Sequence, residues 1–255
     1  MRRRESRFSV GCSKMKVLCV SDQIDPLVYS PQAKERFSDI DLVLCAGDLP
    51  SDYIDFIVST LNKPTYFIFG NHNLSEFGYY HRKKARAGAH PTWQEEHGIL
   101  DMGGSFGAVY AGFRSLAEKK LRVRARNGKF RPLLIAGASG SLRYNYGLNQ
   151  YTDRQMSLRL LALLPCLLWN KIRYGDYLDI FLTHASPRHI HDKEDPCHKG
   201  FECFNSFIRR FKPTFLVHGH IHLYDMNSPR ISKVGKTTVV NAYSHTILEL
   251  KEEHE

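Results

Sequence analysis

Short apolar runs, each ending in a polar residue, recur along the chain and predict a β-sheet buried on both faces. Such runs contain few polar interruptions, which is typical of parallel strands covered by helices on both sides. The strands predicted from these runs occupy residues 16–20, 41–46, 65–69, 108–113, 133–137, 177–183, 214–217, 237–242 and 246–250.

Helical spacing appears between several of these runs. Ile54, Ile57, Val58 and Leu61 recur at three- and four-residue intervals and predict a helix over 52–61, with Ser51 as its N-cap. Two more helices are predicted, one from residue 152 or 153 to about 164, where Pro165 ends or kinks it, and one over 200–211. Alternating strands and helices indicate an α/β fold.

Residues that can bind a cation follow five of the predicted strands. In open α/β sheets, ligands gather at the carboxyl ends of strands, so these residues are expected to lie together. Carboxylate, amide and imidazole groups in one place suit divalent metals such as Mn, Fe or Zn. The residues at these strand ends are Asp22, Asp48, Asn71 with His72, His184, and His220 with His222.

The order of these residues resembles that of the calcineurin-like metallophosphoesterases. That family carries DxH, then GD, GNH followed by Asp or Glu, a lone His, and GHxH. No single block is specific, but five blocks in the right order over residues 22–222 are very unusual. The corresponding blocks are Asp22-Gln23-Ile24, Gly47-Asp48, Gly70-Asn71-His72-Asn73, His184 and Gly219-His220-Ile221-His222.

The resemblance implies a fold and a reaction. The fold would be a four-layer αββα sandwich with two mixed sheets, with the strands of 237–250 in the second sheet. The reaction would be hydrolysis of a phosphodiester or phosphomonoester by a hydroxide bound to the metals. The resemblance further implies two divalent metal ions, of manganese, iron or zinc.

The resemblance also implies a role for each motif residue. Asp48 would bridge the two metals, and Asn71, His184 and His220 would complete one site. Asp22 and His222 would bind the other metal. His72 would contact the phosphate and protonate the leaving oxygen, a task that suits imidazole.

Two positions depart from the family pattern. Ile24 stands where the histidine of DxH is expected, so the first metal site lacks a ligand. Asp25 is the candidate replacement, which would shift the preference toward Mn or Mg, and Gln23 is a weaker candidate. Otherwise this site is weak, filled by water or empty. Asn73 stands where an acid is usual, which would make His72 less basic.

Further residues are candidates for contacts with substrate. Arg143, Tyr144, Asn145 and Asn149 follow a glycine-rich turn, and Arg188 lies four residues after His184. The histidines between the last two motifs contact substrate, supply a replacement metal ligand or lie in surface loops: His189, His191 and His198. His218 is interpreted either as a support for the metal ligands or as structural, and His245 as structural.

The positive charge of the chain is clustered. The net charge is +10, and residues 112–131 contribute eight Lys or Arg against one Glu. Such a cluster either forms a solvated surface or attracts an anionic partner, such as a nucleotide or nucleic acid. Few aromatic residues lie among these cations, so a platform for stacking bases is not indicated.

Cysteine usage and hydropathy bear on the location of the protein. The six cysteines show no CxxC spacing, and Cys19 and Cys45 lie within apolar strands, which favours reduced thiols and a cytoplasmic location. The longest nearly apolar run, 160–169, is too short to span a membrane. Residues 1–15 are predicted to form a disordered basic tail without a secretory signal, and 16–255 a single domain.

The sequence therefore favours a metal-dependent phosphoester hydrolase acting on a phosphoester substrate. Two alternatives stay open. One is a metal-binding scaffold of the same fold without turnover, suggested by Ile24 in place of a ligand histidine. The other is a phosphodiesterase that acts on nucleic acid, suggested by the basic segment 112–131.

Overall fold

The computed structural model describes residues 14–74, 77–81, 107–125, 128–224 and 228–250. The predicted tail lies outside these ranges apart from its last two residues, and the second of them, Met15, already begins a strand. The prediction of a single domain over 16–255 includes ranges that are not described and stays a prediction.

Thirteen strands lie in the described part of the chain. Most of them coincide with the apolar runs of the sequence, although 108–113 contains a strand of only two residues. The strands are β1 (Met15–Ser21), β2 (Leu42–Cys45), β3 (Thr65–Phe67), β4 (Val109–Tyr110), β5 (Ser115–Arg124), β6 (Phe130–Ala138), β7 (Ser141–Leu142), β8 (Gln150–Tyr151), β9 (Ile180–Thr183), β10 (Phe215–His218), β11 (Ile231–Val234), β12 (Thr237–Asn241) and β13 (Ser244–Leu250).

Two large mixed sheets contain eleven of these strands. The first has the order β13-β1-β2-β3-β4, with β13 antiparallel to β1 and the others parallel. The second has the order β11-β12-β10-β9-β6-β5, with the two edge strands antiparallel to their neighbours. The strands β7 and β8 form a separate parallel pair.

Six helices are described, and their boundaries follow local chemistry. Thr152 and Gln155 form a reciprocal capping box at the start of α4. Pro165 lies in the first turn of α5, where its missing N–H is tolerated. The helices are α1 (Ala33–Arg36), α2 (Ser51–Leu61), α3 (Phe77–His81), α4 (Asp153–Leu161), α5 (Leu164–Tyr174) and α6 (Glu202–Phe211).

One predicted cap is wrong. Ser51 is the first helical residue of α2, and Pro50 takes the N-cap position with no side-chain hydrogen bond. The fixed φ of proline sets the extended entry to this helix, so the turn forms without a hydroxyl cap. None of the helices in the described ranges has the length and apolarity needed to cross a bilayer.

The four predicted layers are present. Alternate residues of both sheets pack against each other in the central core, including Val17 and Cys19 of β1 and Ile180 and Leu182 of β9. The outer face of the first sheet is covered by α1 and α2. The outer face of the second sheet is covered by α4, α5 and α6. Because both faces of each sheet are buried, the strands contain continuous apolar runs.

The prediction that both final strands lie in the second sheet is half wrong. The strand β12 does lie there, beside β10. The chain then turns at Ser244, whose φ of 64° is left-handed, and β13 pairs with β1 in the first sheet. This crossing brings the C-terminal strand beside the loop that follows β1.

A buried triad of ion pairs connects β6 to the residues just before β9. The Arg131 guanidinium donates to both carboxylate oxygens of Asp179 and to Asp176, and all three side chains are buried. Asp179 also accepts the amide of Leu134, so its charge is fully engaged. Such a triad is stable only when every partner is present.

Arg131→Met is expected to lower the free energy of unfolding by about 3–5 kcal/mol, because it removes the buried cation that pairs with both carboxylates. Urea unfolding followed by circular dichroism measures this loss. The control Arg154→Met removes an exposed arginine of α4 and should change stability by less than about 0.5 kcal/mol. Equal losses in the two variants would contradict this account of the triad.

Candidate active site

The strand-end residues singled out in the sequence converge at one edge of the sandwich. Asp22 and Asp48 follow β1 and β2 of the first sheet, and Asn71 lies in the loop after β3. His184 and His220 follow β9 and β10 of the second sheet. Both sheets therefore supply side chains to one site, as expected where parallel strands end together.

Asp48, His184 and His220 form the centre of this site. One potential ligand atom from each lies within 4.8 Å of the other two, and all three residues are buried. His184 Nε2 is 3.3 Å from Asp48 Oδ2 and 3.1 Å from Asn71 Oδ1. Asn71 thus belongs to the same cluster as a fourth potential ligand.

Backbone carbonyls orient the two imidazoles. His184 Nδ1 lies 2.8 Å from the Ala46 carbonyl oxygen, and His220 Nε2 lies 2.7 Å from that of Cys197. Each of these nitrogens donates its proton to the carbonyl, which leaves the other nitrogen of each ring for the cluster. Metal-binding histidines in proteins are held by outer hydrogen bonds of this kind.

The charges of the cluster are strongly coupled. Burial favours a raised pKa for Asp48, but the facing His184 imidazole and the His72 amide outweigh burial and lower it. The same carboxylate overcomes the burial of His184 and raises its pKa to about 9. Burial and the nearby His184 lower the pKa of His220 to about 4.

Asp22 adds a second negative charge. Its burial opposes ionisation, but hydrogen bonding to His222 and the charge of His184 lower its pKa. Two carboxylates thus face one cationic imidazole. Among the described residues, no lysine or arginine forms an ion pair with Asp22 or Asp48.

The motif glycines make room for these carboxylates. A Cβ on Gly70 would collide with the Asp48 carboxylate and lie 2.6 Å from His184 Cε1. A Cβ on Gly219 would collide with the side chains of Ser21 and Asp22. The backbone therefore approaches both acids at distances that only glycine permits.

Three residues of the site have left-handed backbone conformations. The φ angles are 64° at Asp22, 55° at Asp48 and 66° at His220. Such conformations are unfavourable for residues with a Cβ, and they occur preferentially at functional sites. Each of these turns directs a side chain from the end of a strand into the cluster.

The donor set fits a divalent cation. Asp48 offers a carboxylate oxygen, Asn71 an amide oxygen, and His184 and His220 one imidazole nitrogen each. Mn, Fe and Zn all accept such mixed oxygen and nitrogen ligands. The net negative charge of the two buried acids favours a cation at the same place.

Asp22 and His222 lie beside this cluster. His222 Nε2 is 3.7 Å from Asp22 Oδ1, and the Asp22 side chain is only 1% exposed. Both Asp22 oxygens accept the backbone amide of His220, at 3.0 and 2.9 Å. His222 Nδ1 is 2.6 Å from the Tyr224 hydroxyl, and its ring packs against Tyr243.

His72 lies at the open side of the site. Its backbone amide donates to Asp48 Oδ1 at 2.7 Å, while the residue itself is exposed. Asn73 donates its side-chain amide to the Asp48 carbonyl at 2.9 Å. An ionised aspartate at position 73 could not donate this bond, so asparagine here supports the Asp48 turn.

Asp25 has other partners. One oxygen accepts the amide of Leu27, and the other lies 2.5 Å from both Ser244 Oγ and His245 Nδ1. In the described part of the chain no hydrogen bond or ion pair joins Asp25 to the cluster. Its predicted role as a replacement ligand gains no support from these contacts. His245, interpreted as structural, is one of the residues that hold it.

Arg143, Asn145 and Arg188, three of the candidate substrate residues, are engaged in local contacts. Arg143 donates to the Gln150 carbonyl, and Asn145 Oδ1 accepts bonds from Gly147 and Gln150 within the same turn. Arg188 forms ion pairs with both Asp192 and Glu194. Its charge is thereby neutralised, and the roles of Arg143, Asn145 and Arg188 in substrate binding stay predictions.

The other histidines fall into two groups. His218 is fully buried and bonds to His191, which in turn bonds to Ser232. Burial lowers the pKa of His218 to about 3 and that of His191 to about 4, so both are neutral. His198 instead packs beside His220 and is held by Asp195, while His189 is exposed.

Sequence reasoning proposed Tyr144 as a substrate contact but did not predict which groups orient the ligands. The Tyr144 hydroxyl accepts a bond from Asn71 Nδ2 at 3.1 Å, which turns Asn71 Oδ1 toward His184. The backbone carbonyls of Ala46 and Cys197 cannot be recognised from residue type, because every residue has a carbonyl. Tyr144 lies 73 residues from Asn71, so only the fold reveals the pairing.

Comparison with known proteins agrees with this geometry. A model of the family described as calcineurin-like phosphoesterase matches residues 15–224. The chain belongs to the calcineurin-like phosphoesterase family. Its members are metal-dependent phosphoester hydrolases in general, and the cluster of Asp48, His184 and His220 is a possible metal site in this member.

Solved structures share the fold of this chain. The crystal structure of TT1561 of Thermus thermophilus aligns with a TM-score of 0.56 and 14% identity, over 94% of this chain and all of that chain. A second crystal structure aligns with a TM-score of 0.57, also at 14% identity, over the same shares. No match to a curated protein was found.

Tyr144→Phe is expected to weaken binding of Mn²⁺ by about 10–100-fold, because the Asn71 amide loses the partner that fixes its orientation. Calorimetric titration of the metal-free protein measures the change. Tyr146→Phe is the matched control, since Tyr146 lies two residues away and is fully exposed. Unchanged affinity in Tyr144→Phe would contradict the positioning role of this hydroxyl.

Proposed function

We propose that this chain hydrolyses a phosphodiester or a phosphomonoester in a reaction that depends on a divalent metal, with His72 as the general acid. The main support is the convergence of Asp48, His184 and His220, three buried potential ligands from three strand ends, within 4.8 Å. Membership of the phosphoesterase family supports the same reaction class.

Each of the potential ligand residues has a proposed role. Asp48, His184 and His220 would hold the metal, and Asn71 would add an oxygen ligand that Tyr144 orients. A divalent metal bound there supplies Lewis-acid activation of the phosphoryl group and of a water nucleophile. Manganese is the proposed ion, with iron and zinc as the alternatives.

His72 is suited to the proton transfer. Its amide is fixed by Asp48, so its position relative to the metal cluster is set by the backbone. The residue is exposed, so its side chain is accessible to a substrate from solvent. An imidazole donates a proton readily near neutral pH, so His72 would protonate the leaving oxygen.

The same arrangement bears on the scaffold alternative. A binding scaffold needs the metal ligands but has no need for an imidazole beside them. His72 lies next to Asn71 in sequence and bonds to Asp48 through its backbone. We therefore favour hydrolysis over a scaffold role.

The basic segment 112–131 does not favour a nucleic-acid substrate. Ala138 of β6 pairs with Thr183 of β9, just before His184, so this end of β6 lies at the site. Phe130, which pairs with Arg124 of β5, is eight residues earlier. At about 3.3 Å per residue, the basic end of this hairpin lies roughly 26 Å from the site edge.

A cytoplasmic location is part of the proposal. Five cysteines lie in the described ranges, and all have free thiols. Reduced cysteines are typical of a compartment kept reducing by thiols.

His72→Asn is expected to lower kcat by about 10²–10⁴-fold while leaving the metal content unchanged, because only proton transfer is lost. The assay uses Mn²⁺ with a nitrophenyl diester and an alkyl diester of phosphate, alongside nitrophenyl phosphate. The loss should be larger for the alkyl ester, since nitrophenolate leaves without being protonated. The control is His189→Asn, which changes an exposed loop histidine.

Three results would count against the proposal. Bound metal with no hydrolysis of any ester would favour the scaffold. An equal loss on alkyl and nitrophenyl esters would remove the acid role of His72. Loss of metal from His72→Asn would place this residue among the ligands instead.

A further inference from the structure

The two carboxylates of the site have unequal sets of partners. Asp48 shares its surroundings with two buried imidazoles and the Asn71 amide, which together provide four protein ligands. Among the described residues, the one histidine within ion-pair distance of Asp22 is His222, at 3.7 Å. Metal sites of high affinity in proteins usually have three or more protein ligands.

The loop after β1 does not complete the Asp22 side. Ile24 follows Asp22 by two residues, has no donor atom and is 44% exposed. Gln23 is exposed, and its backbone amide closes a tight turn on Ser21. In the described part of the chain, the side chains of Gln23 and Ile24 form no hydrogen bond with Asp22.

Asp25 is held away from the site by a network of its own. Its side chain accepts bonds from Ser244, His245 and the Leu27 amide, and its backbone amide donates to the Tyr53 hydroxyl. These bonds tie the loop to β13 and α2. Moving the carboxylate to a metal would break the side-chain bonds and leave His245 and Ser244 without their partner.

The potential ligand atoms on this side already form hydrogen bonds with other groups of the protein. Both oxygens of Asp22 accept the His220 amide. Asp48 Oδ1, the oxygen that does not face His184, accepts the His72 amide. His222 is confined between Tyr224 and Tyr243. A second ion there would have His222 and already engaged carboxylate oxygens as its ligands.

We infer that this chain binds one divalent ion tightly, at Asp48, Asn71, His184 and His220, and that the position beside Asp22 and His222 binds a second ion only weakly. The inference rests on the proposed metal-dependent function. Loss of an outer partner alone weakens metal binding by about 10–100-fold. A missing direct ligand should therefore make the second affinity at least about 100-fold lower than the first.

The exposed Ile24 offers a direct test, because a histidine can be placed there without disturbing the core. Metal-free wild type, Ile24→His and the matched control Ile24→Leu are dialysed against micromolar Mn²⁺, and bound manganese per chain is measured by elemental analysis. Electron paramagnetic resonance then separates isolated Mn²⁺, with its six-line signal, from an exchange-coupled pair. Thermal unfolding of each variant checks its fold.

The expected result is one isolated Mn²⁺ per chain in wild type and Ile24→Leu, and two coupled ions in Ile24→His. Two coupled ions in wild type would overturn the inference. One ion in folded Ile24→His would overturn it as well, since position 24 would not limit the second site. No bound ion in wild type would instead refute the metal-dependent function itself.

Asp25→Ala gives an independent answer if Ile24→His does not fold. The inference expects one tight ion in this variant, as in wild type, together with lower stability, because the bonds to Ser244 and His245 are lost. Two ions in wild type that fall to one in Asp25→Ala would show that Asp25 is a ligand and would overturn the inference.

Discussion

The buried carboxylate of Asp48 is the point on which the site depends. Its oxygens take the His72 amide and face the His184 imidazole, and its backbone carbonyl accepts the Asn73 side chain. These contacts join the end of β2 to the loop after β3 in one sheet and to the end of β9 in the other. A buried negative charge is costly unless it is paired, so the strand ends are held in register around it.

The same charge explains why the site suits a cation. Asp22 and Asp48 together outweigh the one cationic imidazole, and three left-handed residues concentrate backbone strain at the same edge. The cores of the sandwich, with continuous apolar contacts on both faces of each sheet, supply the stability that tolerates this. The fold itself therefore positions the proposed ligands, and our inference is that the loop around Ile24 and Asp25 limits the number of ions bound.

Local patterns predict much of this structure. The apolar runs locate most strands because each is buried on both faces, and the ordered motif residues identify the cluster because strand ends meet at one edge. The features that the sequence did not predict depend on contacts between residues that are far apart in the sequence. The sheet membership of β13 is set by the turn at Ser244, and Asp25 pairs with His245, 220 residues away. Tyr144 was a candidate for substrate contact, but its bond to Asn71 spans 73 residues, so the local sequence did not predict that role.

The central claim, that Asp48 organises a metal centre from both sheets, is tested most directly by anomalous X-ray scattering from crystals grown with Mn²⁺. The account predicts a manganese peak bounded by Asp48, Asn71, His184 and His220. A map with no peak at this position, in crystals where Asp48 and His184 keep their direct contact, would contradict it.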